Sequence, residues 1–237
     1  MHIRSATSLI IIKWLALLLI LFIVGCSSEK PEVTKQKEQT TKNEHTEQSQ
    51  SELSEGDKVV TLNKNDFLYE DLGFYQLMNK IMVELKRSED IKKLEEEKAA
   101  ERNSYWDEQL DGYDKMNVNL QSLIEINAMA LLGEEKNYYI PDDMITKEKK
   151  KLTVKIEKNE EAKALVETYG KKKYDDSIGE YIRVTMLRDR VANDLEQKIK
   201  RENKDAPDKE VSYKLNQAYE DLYMDQLSTL EVKIHLQ

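Results

Sequence analysis

The residue types most often used for chemistry are sparse in this chain. It holds one cysteine, Cys26, and three histidines, His2, His45 and His235, none with a second metal-ligating residue at a useful spacing. It has no HExxH helix, no cysteine cluster and no glycine-rich phosphate loop, so the sequence gives no metal site and no nucleotide site. Adjacent acids do occur, as Asp142-Asp143 and Asp175-Asp176. In a chain that is 35% charged, such pairs read as helix N-terminal charge favoured by the dipole, not as a general acid and base. No nucleophile, base and orienting group stand in a pattern that marks a catalytic site. The expectation is a protein without cofactor, metal or catalytic residues.

Cys26 is the exception, because of what precedes it. Leu9 to Ser28 reads LIIIKWLALLLILFIVGCSS, and Ile23-Val24-Gly25-Cys26 resembles a lipobox at the end of a bacterial lipoprotein signal. Arg4 and Lys13 supply the basic flank of such a signal. The run Trp14 to Val24 is shorter than the ~20 residues a spanning helix needs. This reading implies cleavage before Cys26, a diacylglyceryl group on its thiol, and an extracytoplasmic body held to the cell membrane by that lipid. Two acyl chains at ~0.8 kcal/mol per buried methylene give a stable anchor. An acylated cysteine leaves no thiol for a disulfide, so stability must come from the core. The net charge of −9 disfavours nucleic acid as a partner.

Three segments follow: residues 1–25 as signal, 26–57 as lipidated cysteine and spacer, and 58–237 as a folded body. Glu29 to Asp57 contains little that is apolar beyond Val33 and Leu53, too little to offset its ordering entropy, and is expected to be disordered. The body is expected to be mostly α-helical, a multi-helix domain with a small two-stranded β pairing of its N- and C-terminal strands. Lys58 to Leu62 is β-prone, Asn63-Lys64-Asn65 reads as a turn, and Asp66 as an N-cap. Helices are predicted over about 67–86, 91–110, 115–137, 141–152, 160–169, 175–203 and 209–227. Asn159 caps the fifth and Gly170 closes it. The second helix begins KKLEEEKAAER and reads as a solvated arm. Leu230 to Leu236 alternates apolar and polar residues, which is strand spacing. Its partner is Val59 to Leu62, with Val60, Leu62, Val232 and Ile234 on one buried face and His235 on the polar one.

The opening KVVTLNKNDF and the later LIEINAMALLGEEKNYYIPDDMI resemble the N-terminal domain of the SurA/PrsA class of extracytoplasmic foldases. Ile140-Pro141-Asp142-Asp143-Met144-Ile145, the bend at Tyr169-Gly170 and the long helix after it are similar to segments of that class. Lys64 stands where the class usually has glycine, and nothing in the chain resembles the parvulin isomerase domain with its pair of histidines. The resemblance implies the peptide-holding half of a foldase without isomerase activity, and its lipoprotein signal fits the PrsA branch of Gram-positive bacteria. Unfolded exported polypeptides are then the expected partners. Candidate peptide-binding residues, read from apolar helical stripes and from the adaptability of methionine, are Phe74, Tyr75, Met78, Met82, Met129 and Tyr139. The alternative is a structural or assembly lipoprotein that meets one defined partner through the arm.

Overall fold

The computed structural model describes residues 53–236 with the exception of Lys93. The signal, Cys26 and nearly all of the spacer lie outside the described residues. Three strands, β1 (Lys58–Leu62), β2 (Asn65–Leu68) and β3 (Val232–Ile234), form an antiparallel sheet in the order β2-β1-β3. Seven helices are described: α1 (Tyr69–Ile91), α2 (Glu96–Gly112), α3 (Met116–Glu135), α4 (Asp142–Ile156), α5 (Glu160–Tyr169), α6 (Lys171–Glu202) and α7 (Asp208–Thr229). The described chain is therefore mostly helical, and the two ends of the described body meet in the sheet.

The expected pairing of the terminal strands is present in the expected register, Val60 opposite Ile234 and Leu62 opposite Val232. Two features differ from the sequence reading. First, the sheet has a third strand. Asn65 and Asp66 belong to β2, and Phe67 is a strand residue, not the start of a helix. Asn63 takes a φ of 55°, which a two-residue hairpin asks of its first central position and which asparagine tolerates. The helix begins at Tyr69 instead, where Asp71 reaches back to accept from the Leu68 N–H at 2.8 Å. Second, Ile234 is 55% exposed while Val60 opposite it is fully buried. β3 is a short edge strand, so its end overhangs the core that covers β1. Asn63 fixes that edge: its N–H donates to the Glu231 carbonyl at 2.7 Å, and its Oδ1 accepts from the Glu231 N–H at 2.9 Å.

Several helix bounds shift for local reasons. α1 runs on through Ile91, past the expected end at 86, and α2 starts at Glu96 instead of 91. α6 starts at Lys171, directly after Gly170, not at Asp175 or Asp176. Gly170, at φ 104°, donates the last bond of α5 from its N–H to the Val166 carbonyl and accepts the first of α6 from the Tyr174 N–H, in a conformation that costs a side-chain-bearing residue more. Asn159 caps α5 as expected, its Oδ1 accepting from the Ala162 N–H at 2.8 Å.

α1 is central because its apolar residues cover more than one face. Leu72 and Tyr75 join Val59, Val60, Leu62, Leu123, Ile124, Val184 and Leu187 in a cluster beneath the sheet. Phe74, Leu77, Met78 and Ile81 join Ile156, Ala162, Val166, Tyr174, Ile178 and Ile182 in a second cluster formed with α4, α5 and α6. α3 lies along α6, and Gly133 faces Leu187 of α6 closely. A Cβ at Gly133 would sit 3.3 Å from the Leu187 carbonyl oxygen, so the glycine admits its neighbour, and α3 continues past it to Glu135.

Candidate functional site

The described surface has a groove of about 390 Å³ where β2, α1, α3 and α6 converge. The hairpin turns Phe67 into it, and the first turns of α1 bring Asp71, Phe74 and Tyr75. α3 contributes Asn127 and Leu131, and α6 contributes Glu180, Tyr181 and Arg183. The floor is aromatic. Tyr181 stands edge-on to Tyr75, with ring centroids 5.3 Å apart, and edge-on to Phe74 at 5.8 Å.

Two polar groups lie within that floor. Asn127 Nδ2 donates to Tyr75 Oη at 2.6 Å and to the Leu123 carbonyl at 2.8 Å. Both Nδ2 hydrogens are thereby committed, which leaves Asn127 Oδ1 as an acceptor. Tyr75 Oη accepts from Asn127, so its own proton is available to donate. The two residues are 8% and 6% exposed. Burial raises the Tyr75 phenol well above its ordinary value, with the charges of Asp71 and Glu180 adding to the effect and the Asn127 bond opposing it. Burial pushes Tyr181 up to about 12. Both therefore remain neutral hydroxyls at physiological pH.

The rim is charged. Arg183 donates from Nη1 to Glu134 Oε1 at 2.9 Å and from Nη2 to Glu180 Oε1 at 2.6 Å, which joins α3 to α6 across one wall. Four carboxylates, Asp66, Asp71, Glu134 and Glu180, line the groove with this one guanidinium, which pairs with the last two. Among the described residues, no histidine or cysteine lines the groove, and no group of His, Cys, Asp and Glu side chains is arranged to hold a metal ion. The arrangement offers apolar contact, a neutral donor and acceptor, and negative charge.

The six residues singled out by sequence divide here. Phe74 and Tyr75 line the groove. Met78 and Met129 are fully buried, so in this conformation they are core. Met82 is partly buried against the second cluster. Tyr139 is 71% exposed on the connection between α3 and α4, and it does not line the groove. Sequence reasoning missed Phe67, Asn127 and Tyr181. Tyr181 carried a usable signal, since a tyrosine among aliphatics on a buried stripe needs somewhere to place its hydroxyl.

One constellation at the rim of the groove, around Asp66, superficially resembles a catalytic set. Thr61 Oγ1 donates to Asp66 Oδ1 at 2.7 Å and lies 2.8 Å from His235 Nε2. Lys58 Nζ is 2.5 Å from Asp66 Oδ2, and together with Thr61 it holds the Asp66 carboxyl below its usual range. The hydroxyl proton points to the carboxylate, so the imidazole must donate to Thr61 rather than take its proton. That polarity is wrong for an activated nucleophile. The set ties the end of the chain to β1 and β2.

At the far end of α1, α2 forms the arm. Trp106 is its one buried residue; its Nε1 donates to Asp90 Oδ2 at 3.1 Å, and Arg102 donates to the same oxygen at 2.5 Å. The Arg102 guanidinium lies 4.9 Å from the centroid of Tyr105, in cation–π contact. No helix among the described residues is long and apolar enough to cross a membrane. Comparison of the chain with protein-family models, curated proteins and solved structures found no match.

Proposed function

We propose that this protein is a membrane-anchored, chaperone-like lipoprotein that holds exported, unfolded polypeptides in the groove between the hairpin and α1, α3 and α6, without isomerase activity of its own. The carrying observation is the groove's composition. Phe67, Phe74, Tyr75 and Tyr181 give sequence-tolerant apolar contact, and the Tyr75–Asn127 pair matches the N–H and C=O that every polypeptide carries. Anchoring rests on Cys26 and the apolar run before it. The resemblance of the hairpin opening and of Ile140 to Ile145 to the SurA/PrsA class supports the same reading.

A holder of unfolded chains suppresses the aggregation of several unrelated proteins diluted from denaturant. The lipid-free body, residues 58–237 behind a short tag, should do so at near-equimolar ratio. Suppression of none, together with pull-down of one defined partner, would favour the assembly reading instead. That reading has one observation of its own, the solvent-facing arm with Arg102 and Tyr105 at its exposed side.

A further inference from the structure

We propose that the groove takes its polypeptide as an added β-strand, paired to the outer edge of β2, and that it prefers segments carrying lysine or arginine on an apolar background. This rests on the holding function proposed above and specifies its mode and its substrate class.

The edge follows from the register. Leu62 and Asn65 flank the two-residue turn and Val60 lies opposite Phe67, so these pairs exchange their backbone bonds across β1 and β2. Thr61 and Asp66 are then the non-bonded pair. Thr61 turns its N–H and C=O toward Lys233 of β3, in step with the bonds from Asn63 to Glu231 and from His235 to Val59 on either side. Asp66 turns its own toward the opposite side, where no further strand stands among the described residues. Asp66 and its neighbours Asn65 and Phe67 line the groove, so this edge borders the aromatic floor. An incoming strand bonded to Asp66 would direct alternate side chains toward Phe67 and Tyr181, the geometry of strand addition. The Tyr75 hydroxyl and Asn127 Oδ1, both more than nine-tenths buried, could meet a polar group of a residue that enters the floor.

Charge selects the occupant. With Asp66 paired to Lys58, three further lining carboxylates, Asp71, Glu134 and Glu180, stand against one lining guanidinium, and Asp71 and Glu180 act on the Tyr75 phenol in the direction a negative potential requires. A cationic segment is attracted and an acidic one repelled. The outer edge of β3 provides an internal control, since it is short, carries Lys233 and does not line the groove.

The test uses the described body and four synthetic nine-residue probes of alternating pattern: KFTVKYTVK, the same peptide with each lysine replaced by glutamate, and two forms of the lysine peptide N-methylated at alternate amides, one in each register. Binding is read by fluorescence anisotropy, and edge occupancy by amide exchange of Asp66 and Ile234. The lysine peptide should bind at least tenfold tighter than the glutamate peptide. Methylation in one register should weaken binding at least tenfold while the other leaves it unchanged, and the Asp66 amide should slow at least tenfold with Ile234 unaffected. Equal binding by both methylated registers, or protection at Ile234 instead of Asp66, overturns strand addition. Equal binding of lysine and glutamate peptides overturns the charge preference. If no peptide binds but unfolded clients are still kept soluble, the groove mode is wrong and the holding function stands. If neither occurs, both fall.

Discussion

The groove and the arm both offer a concavity to another molecule, and size does not separate them. The two are of comparable size, about 500 Å³ beside α2 and about 390 Å³ in the groove. Their chemistry differs. The arm's depression is lined by Asp90, Leu94, Lys98, Glu101, Arg102 and Tyr105, with one aliphatic residue and charges of both signs. The groove has an aromatic floor, a buried neutral donor and acceptor, and carboxylates that outnumber cations. The groove also borders a strand edge, whereas the arm is a helix whose backbone is already satisfied. A surface that must accept many sequences gains from contacts every polypeptide can make, and the groove has those. A surface that recognises one partner gains from a particular charge pattern, and the arm has that.

The largest effect should come from cutting away the strand that completes the sheet on the side of β1 opposite the groove. Removing residues 231–237 deletes β3, both Asn63 bonds and the cover over Val60 and Leu62. Burying one such side chain contributes roughly 1.5–3 kcal/mol, and a domain has only ~5–15 kcal/mol in total. The truncated body should lose a large fraction of its stability in urea, and a body ending at Leu230 with an unchanged midpoint would refute that contribution. Next is Trp106→Ala, which removes the arm's single buried anchor. Deleting a buried aromatic typically costs about 3–5 kcal/mol; here the loss should be smaller and local, seen as faster amide exchange in α2 with α3 and α6 unchanged. Equal destabilisation of both regions would show that arm and groove are one cooperative unit.

Alkaline titration gives a smaller, signed effect. Tyr174 and Tyr181 are both raised to about 12, mainly by burial. Because the folded values lie above the unfolded value of about 10, their stabilisation is complete below pH 10 and is lost as pH rises through 12. Lys86 works in the opposite sense. Burial first, and then the charge of Arg188, push it down to about 8, so its term improves stability between pH 8 and about 10.5. The thermal midpoint should therefore hold or rise slightly up to pH 10 and fall beyond it. Tyr181→Phe should flatten the fall. A fall as steep as in the parent would mean that Tyr181 ionises freely. Smallest is Tyr75→Phe, which removes one hydroxyl and leaves Asn127 Nδ2 with the Leu123 carbonyl alone. It should cost about 1 kcal/mol of stability and weaken peptide binding severalfold; unchanged binding would remove the Tyr75–Asn127 pair from the site.

Much of the fold was legible because its signals are local and strong. Asn159 and Gly170 mark the ends of α5 by side-chain capping and by positive φ, and the alternation Leu230 to Leu236 could find a partner in β1. β2 was not legible, because four residues reading NDFL are too few to show a period, and Asp66 before Phe67 imitates a helix cap. The start of α6 was hidden in the same way by Asp175 and Asp176, which look like a beginning but lie one turn inside. The site was only partly legible. Phe74 and Tyr75 were found, yet an apolar stripe as wide as that of α1 does not say which residues meet another helix and which meet open space. Met78 and Met129 fell on the first side of that division, and the three elements that carry Phe67, Asn127 and Tyr181 come together only in the folded chain.

The groove claim is tested most directly by separating the two surfaces within one body. Leu131 lines the groove and is partly exposed, so Leu131→Glu places a charge on the floor without burying it fully. The double variant Arg102→Ala, Tyr105→Ala alters the arm alone. Light scattering by three unrelated unfolded proteins is followed with each body, after circular dichroism shows that each is folded. Loss of most suppression in Leu131→Glu, with the arm variant equal to the parent, is the predicted result. Full suppression by Leu131→Glu, or its loss in the arm variant alone, would contradict the groove as the holding site.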